Sequence, residues 1–227
     1  YESGDDMVCL SIACLHCPDA PCVTACPVGC LYKDPATGLT RYDTTHCIGC
    51  HSCTVACRVW NKLPLDIIYN PVVSEGVQGT WPNVHRNWTP LLCMHCENPE
   101  CVPCCPSGAS QQDADGTVWV DPKKCLSCKV CVNACPYGMR DVSHMVPRFD
   151  QYVRKCTFCR DRRALDPAAE PYCVATCHQR ARIFGDIDDP ESEVSRLINT
   201  TRTERLFTEL GTDPQIYYIP EMGGGAR

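Results

Sequence analysis

Alternation of apolar and polar positions is brief along this chain and falls in few places. The stretches "KDPATGLTRYD" (residues 33–43) and "QQDADGTVWVD" (residues 111–121) each set a turn signal between short alternating runs. Thr37-Gly38 marks one turn and Asp115-Gly116 the other, so each stretch predicts a hairpin. A helical period returns only near the end. "DDPESEVSRLI" predicts a helix with Asp189 as N-cap, Pro190 in the first turn, and Val194, Leu197 and Ile198 at helical spacing. "QIYYIP" reads as a short strand. Residues 58–92, with Trp60, Trp81, Trp88 and several prolines and glycines, read as a long loop packed over its neighbours or against a partner. No apolar run is as long as a membrane span or resembles the apolar region of an export signal. The opening "YESGDDMV" is polar and acidic, as in a chain that carries no export signal or has already been processed.

Such a pattern promises little apolar core, and the composition agrees. Of 227 residues only 7% are aromatic, while 19 are proline and 23 are cysteine. Cysteine chemistry therefore has to tie the chain together. Disulfides are a poor candidate. The count is odd, and the thiols lie at Cys-x-x-Cys spacings, where pairs are strained, redox-active or metal-binding. The formal charge is −6 and no long basic run occurs, which argues against nucleic acid as a partner.

Twenty of the thiols fall into five groups. The first is Cys14, Cys17, Cys22, Cys26; the second Cys47, Cys50, Cys53, Cys57; the third Cys93, Cys96, Cys101, Cys105. The fourth is Cys125, Cys128, Cys131, Cys135 and the fifth Cys156, Cys159, Cys173, Cys177. The first and third share C-x2-C-x4-C-x3-C-P, the second and fourth C-x2-C-x2-C-x3-C, and one of the two hairpins joins each pair. Residues 9–57 and 91–138 therefore look like two copies of one unit. Cys9, Cys30 and Cys104 stand outside the pattern and read as small buried apolar residues.

The spacing of the second and fourth groups points to [4Fe–4S] clusters, because three thiolates on a short loop can take three corners of a cubane. Structural zinc sites usually pair two Cys-x-x-Cys knuckles across a longer loop, so four thiols in eleven residues suit a cluster better. In two-cluster ferredoxins the fourth cysteine ligates the other cluster. By that order Cys93, Cys96 and Cys101 join Cys135, and Cys125, Cys128 and Cys131 join Cys105. The second and fifth groups are then complementary halves: Cys47, Cys50, Cys53 with Cys177, and Cys156, Cys159, Cys173 with Cys57. The first group then holds a cluster by itself; alternatively it pairs with the second, and the fifth closes on itself.

From Tyr42 onward the chain resembles the iron–sulfur (β) subunit of the dimethyl-sulfoxide-reductase family of molybdenum or tungsten oxidoreductases, of the arsenate, polysulfide and tetrathionate reductase type. The stretches that carry the resemblance are "CIGCHSCTVAC", "LLCMHCENPECVPCCPSGAS", "CLSCKVCVNACPYG", "KCTFCRDRR" and the tail "RARIFGDIDDPESEVSRL…ELGTDPQIYYI". The tail discriminates most, since simple ferredoxins lack it. The resemblance implies an α+β fold of tandem ferredoxin-like [4Fe–4S] modules with short strands and helices, many loops and a C-terminal tail. It divides the chain into an N-terminal extension (1–41), a first module (42–92 with 139–185, including the long loop), a second module (93–138) and the tail (186–227). It implies the pairing of second with fifth and third with fourth groups. It further implies a non-catalytic subunit that relays single electrons between a molybdopterin- or tungstopterin-bearing catalytic subunit and a redox partner, either a quinone-linked membrane subunit or a soluble carrier. Four clusters are the family's number; the first group, inside the extension, makes five the expected count. The outer face of the cytoplasmic membrane, as part of a complex, is the expected compartment, with the cytoplasm as the alternative. Where the family's last motif ends Cys-Pro this chain has Cys177-His178, which questions the local turn and potential rather than ligation.

Other residues have plainer readings. His16 and His95, each before the second thiol of its group, are expected to pack beside a cluster or to donate to sulfur. Arg58, Lys129, Lys155, Arg160, Arg162 and Arg163 either balance cluster charge or are solvated. Trp60 and Trp88 pack. No catalytic constellation, P-loop or dinucleotide fingerprint is present. The alternatives are a polyferredoxin subunit of a hydrogenase or formate-oxidising complex, a zinc-organised interaction module and a free-standing ferredoxin.

Overall fold

The structure is a computed structural model, and it describes residues 2–3, 6–7, 14, 16–24, 26, 31–42, 47–80 and 83–220. Cys9, Cys30 and Trp81 lie outside the described residues. Its elements are short, as the scarcity of periodic sequence requires. In chain order they are β1 (Glu2–Ser3), β2 (Asp6–Met7), α1 (Pro21–Thr24), β3 (Leu31–Lys33), β4 (Thr40–Tyr42), α2 (Ser52–Trp60), β5 (Val72–Thr80) and β6 (Asn83–Pro90). Then follow β7 (Ser110–Gln112), β8 (Val118–Val120), α3 (Val130–Asn133), β9 (Asp141–Val142), β10 (Val153–Arg154), α4 (Arg160–Leu165), α5 (Tyr172–Ala175) and α6 (Glu193–Thr200). Every strand pair is an antiparallel two-stranded ribbon.

Both expected hairpins are present. β3 pairs with β4 with Tyr32 opposite Arg41, and β7 pairs with β8 with Gln111 opposite Trp119. Local side chains close the turns. Asp34 Oδ1 accepts the Ala36 and Thr37 N–H groups at 2.9 and 3.3 Å, and Asp115 Oδ1 accepts the Thr117 N–H at 2.9 Å.

Residues 58–92 correct the sequence reading. Instead of a long loop, α2 runs on to Trp60, and β5 and β6 form the longest ribbon of the chain. Val72, Val73, Val77, Val84, Trp88 and Thr89 are β-branched or aromatic, as a pleated surface favours. The glycine that looked like loop punctuation, Gly76, sits at φ +87° between Ser74 and Val77, where the ribbon register shifts. Two further readings shift. α6 starts at Glu193 with Ser192 as its cap: Ser192 Oγ accepts the Ser195 N–H at 3.0 Å. Asp189 instead closes the preceding turn, its carboxylate accepting the Glu191 N–H at 2.9 Å. "QIYYIP" makes one bridge, Tyr218 to Glu204, while Gln215 donates to the Met94 carbonyl at 2.9 Å. Its hydrogen bonds are divided between two neighbours, so no strand forms.

The interior is organised around thiols. Of the seventeen buried apolar residues among those described, eight are cysteines. Three small clusters result: Cys57 with Leu63 and Ile67, Leu92 with Cys93 and Cys156, and Cys131 with Val142 and Val153. Cys104 is half-buried against the last of these. The C-terminal segment straps the loop of the third group. Glu97 and Asn98 donate to the Asp213 and Thr212 carbonyls at 2.9 and 3.1 Å, and Tyr137 Oη lies 2.7 Å from Thr212 Oγ1.

Candidate metal centres

The five Cys-x-x-Cys loops share one backbone device. The residue before the second thiol adopts a left-handed conformation in each: His16 at φ +49°, Gly49 at +68°, His95 at +42°, Ser127 at +54° and Phe158 at +50°. Four of these are not glycine, and holding such residues there costs about 1–2 kcal/mol each, a strain that persists only where the surroundings over-determine it. Turning the chain this way aims backbone N–H groups inward, as in anion-binding nests. The turns after the fourth thiol also match: Gly108, Gly138 and Arg180 have φ of +63°, +64° and +47°. Each donates its N–H to the carbonyl of its cysteine, at 3.2 Å to Cys105, 3.2 Å to Cys135 and 3.0 Å to Cys177. The Cys177-His178 departure therefore leaves the local turn intact.

These loops bring thiols together across groups. Cys93, Cys96, Cys101 and Cys135 line one cleft, together with Tyr137 and Arg140. Burial pushes the Cys101 thiol up to about 11, while Arg140 pulls against it and Cys93 and Cys135 add to the rise. Burial likewise raises Cys131, with the Cys105 and Cys125 charges adding to it. Cys47 is raised by burial, and Cys53 and Cys177 reinforce it. Cys57 is pushed up to about 12 by burial, then by the Cys173 and Cys159 charges. This last contact has a visible cause: α2 packs against α5, with the Trp60 and Tyr172 rings stacked at 4.5 Å. Thiols of the second group thus face thiols of the fifth, and those of the third face those of the fourth.

The surroundings fit an anionic cluster. Four cysteines line the cleft with mainly apolar neighbours, a donor set that suits an iron–sulfur cluster. Backbone N–H groups reach sulfur at Cys105 from Ser110 (3.5 Å), at Cys125 from Val153 (3.4 Å) and at Cys156 from Phe158 (3.4 Å). Several buried donors have no hydrogen-bond acceptor among the described residues: Arg140 Nη1, Arg162 Nη1, Arg182 Nη2 and His95 Nε2. Buried donors without acceptors are rare, and sulfide and thiolate would supply them here.

His95 is 1% exposed, and burial and then the Lys155 charge hold its imidazole well below the ordinary value. Its Nδ1 accepts the Val118 N–H at 3.1 Å, so the ring is neutral with its proton on Nε2. His16 repeats the contact in the first unit, accepting the Thr40 N–H at 3.0 Å. Of the cations singled out from sequence, Lys155 is 2% exposed and donates to the Val118 and Cys156 carbonyls. Arg58 holds the Pro64 carbonyl, while Arg160 and Arg163 pair with Asp113 and Asp115. Two further cations whose charge acts on the thiols, Arg140 and Arg182, escaped sequence reading. A signal was there: each is the fifth residue after the fourth thiol of its group, in "CPYGMR" and "CHQRAR".

Thiol sets in ferredoxin-type loops, with unpaired buried donors beside them, fit a carrier of iron–sulfur clusters. The family described as 4Fe-4S dicluster domain matches residues 6–74 and 84–187, so the first cysteine group lies within the match. A selenate reductase subunit from Mesobacillus selenatarsenatis is 40% identical over 206 residues, 78% of this chain and 70% of that one. A tetrathionate reductase subunit from Salmonella typhimurium is 41% identical over 180 residues, 78% of this chain and 70% of that one. The arsenate respiratory reductase iron–sulfur subunit of Shewanella sp. is 33% identical over 225 residues, 80% of this chain and 95% of that one. The chain belongs to the iron–sulfur (β) subunits of the dimethyl-sulfoxide-reductase family. It is an electron-transfer subunit that carries [4Fe–4S] clusters, not a catalytic chain. No helix among the described residues is long and apolar enough to cross a membrane.

Proposed function

We propose that the chain holds five [4Fe–4S] clusters and passes single electrons along them between a pterin-bearing catalytic subunit and a membrane-bound or soluble redox partner at the outer face of the cytoplasmic membrane. One cluster is held by Cys93, Cys96, Cys101 and Cys135, and its neighbour by Cys125, Cys128, Cys131 and Cys105. A second pair is held by Cys47, Cys50, Cys53 with Cys177, and by Cys156, Cys159, Cys173 with Cys57. The fifth belongs to Cys14, Cys17, Cys22 and Cys26. The two pairs define two modules, 93–138 and 42–92 with 139–185, and residues 1–41 and 186–227 flank them.

The observation that carries the reading is the cleft whose cysteine lining is Cys93, Cys96, Cys101 and Cys135. These come from two groups that are not contiguous in sequence, in the combination that the interleaved ferredoxin order requires. For the fifth cluster the support is the equivalence of His16 with His95, in backbone conformation and in hydrogen bond. When bound, a cluster supplies a reversible one-electron couple. The chain's own residues hold it, exclude water with apolar walls and set its potential through N–H donors and charge.

Iron and acid-labile sulfide per chain test this. About twenty iron atoms, falling by about four in a Cys14→Ser/Cys17→Ser variant, is the expected result. About sixteen, unchanged in the variant, rejects the fifth cluster, and a Cys135→Ser variant that keeps full iron rejects the cross-group ligand sets.

A further inference from the structure

Two arginines, Arg140 buried and Arg182 half-buried, have the same place in the two halves of the cluster system. Arg140 follows Cys135 by five residues and Arg182 follows Cys177 by five. Arg140 is 3% exposed. Its Nη2 donates to Cys101 Sγ at 2.8 Å and to Ser110 Oγ at 2.9 Å, while Nη1 has no acceptor among the described residues. Its charge acts on Cys101 and Cys93 and also on Cys131, a thiol of the neighbouring set, and Cys101 packs against the small cluster that contains Cys131. Arg182 shares the position and the unpaired guanidinium nitrogen. It acts on Cys173 and Cys156 of one set and on Cys53 of the other, and its buried Nη2 has no acceptor among the described residues.

A buried guanidinium needs an anion and filled hydrogen bonds. Among the described residues neither arginine pairs with a carboxylate: the ion pairs there fall to Arg41, Lys124, Arg160, Arg163, Arg202 and Arg205. The anion that would answer each is a thiolate-bound cluster, and the charge of each acts on thiols of two ligand sets. The planar fork of arginine, with five donors, suits a position between two acceptor surfaces in a way that the point charge of lysine does not.

We propose that Arg140 and Arg182 are equivalent bridging residues, each set between the two clusters of one pair and donating N–H groups to both, so that one side chain sets two potentials together. The inference rests on the ligand sets given above. Reduction adds one electron to a cluster and changes no bond to the arginine. The positive charge and the N–H donors favour the more negative, reduced cluster, so each arginine holds both potentials of its pair up.

The test uses the complete subunit within its complex. In protein labelled with 15N-arginine, pulsed EPR of each reduced cluster of a pair should show coupling to guanidinium nitrogen, and its absence from either cluster overturns the proposal. Redox titration followed by EPR then compares wild type with Arg140→Met and Arg182→Met. At a fixed potential the reduced-to-oxidised ratio of both clusters of the affected pair should fall about tenfold, about 59 mV for a one-electron couple, while the other pair stays where it was. A shift of one cluster only, or none, overturns it. If a methionine variant loses iron, Arg140→Lys and Arg182→Lys are titrated instead: the fork is lost but the charge stays, so both potentials of the pair should fall by a smaller factor. Unmoved potentials there overturn the proposal. Iron counted on the same samples separates the two readings. Wild type short of four irons per assigned set fails the ligand sets, whereas full loading with unmoved potentials fails the arginines.

Discussion

His95 and Phe158 lie face to face, with ring centroids 3.7 Å apart and planes 17° from parallel. Each is the residue before the second thiol of its loop, one in the third group and the other in the fifth. The stack therefore joins equivalent corners of two cluster sites that are 63 positions apart in the chain, counted from Cys93 to Cys156. Phe184 meets Phe158 edge-on, with ring centroids 5.3 Å apart. Phe158→Ala should cost about 3 kcal/mol. For a chain of this size that corresponds to a fall of about 6–12 °C in the Tm of the loaded protein, followed by circular dichroism. An unchanged Tm would mean that the two sites are held together by other contacts.

Gly49 carries a double constraint. Its φ is +68°, and a Cβ there would meet the Trp88 ring at 2.4 Å. Gly49→Ala should detach the β5–β6 ribbon from the second group's loop and cost more than about 1 kcal/mol. Tryptophan emission should shift to the red, and iron should fall by about four atoms per chain. Trp88→Ala on top of it removes the collision but not the backbone strain, so recovery should be partial.

Asp66 ties the segment after α2 to the segment after β9. Its carboxylate accepts the Ser143 hydroxyl at 2.8 Å and the His144 N–H at 2.7 Å. Partial desolvation pushes this carboxyl up, but those donors together with the backbone N–H groups of Asp66 and Met145 outweigh it and hold it below the ordinary value. A depressed folded pKa contributes stability that is complete above the unfolded value, near 3.9, and is lost as pH falls through the folded one. Asp66→Asn should therefore lower Tm by a constant amount at neutral pH, and the gap between variant and wild type should close below pH ~4. A gap that persists in acid would place the effect in packing rather than charge.

Cluster removal should unfold the molecule. Without a metal, burial leaves Cys57 and Cys101 protonated at neutral pH, with values of about 12 and about 11. Loading must expel those protons, so reconstitution should release acid. Stripping iron with an oxidant and a chelator leaves a core of three small clusters, each containing thiols. The expected outcome is loss of the cooperative thermal transition. A stripped protein that keeps its Tm would show that the apolar residues suffice.

Much of this was legible in the chain because turn chemistry is local. Thr37-Gly38 and Asp115-Gly116 announced hairpins that Asp34 and Asp115 side chains close. Where structure depends on distant partners, sequence misled. The β5–β6 ribbon looked like a loop because Gly76 and Gly79 resemble breakers, whereas Gly76 marks a register shift inside paired strands. Asp189 had the right chemistry for a cap, but its carboxylate is used by Glu191, and Ser192 caps instead. "QIYYIP" has strand composition, but its hydrogen bonds go to Met94 and Glu204 on separate segments. Arg140 was hidden because its one signal, a spacing of five residues after Cys135 that Arg182 repeats after Cys177, gains meaning only from its burial beside Cys101.

The strap formed by residues 212–218 has a consequence for synthesis. A ribosome makes those residues more than a hundred positions after the loop they close, the one that carries Cys93 and Cys96 and meets Thr212, Asp213 and Gln215. Until then that loop lacks its cover, and its thiols stay open to iron delivery from outside. The cover arrives only when translation has passed residue 215. Closure of this site thus reports that the ribosome has read beyond that point, and a chain cut short before it leaves the site open.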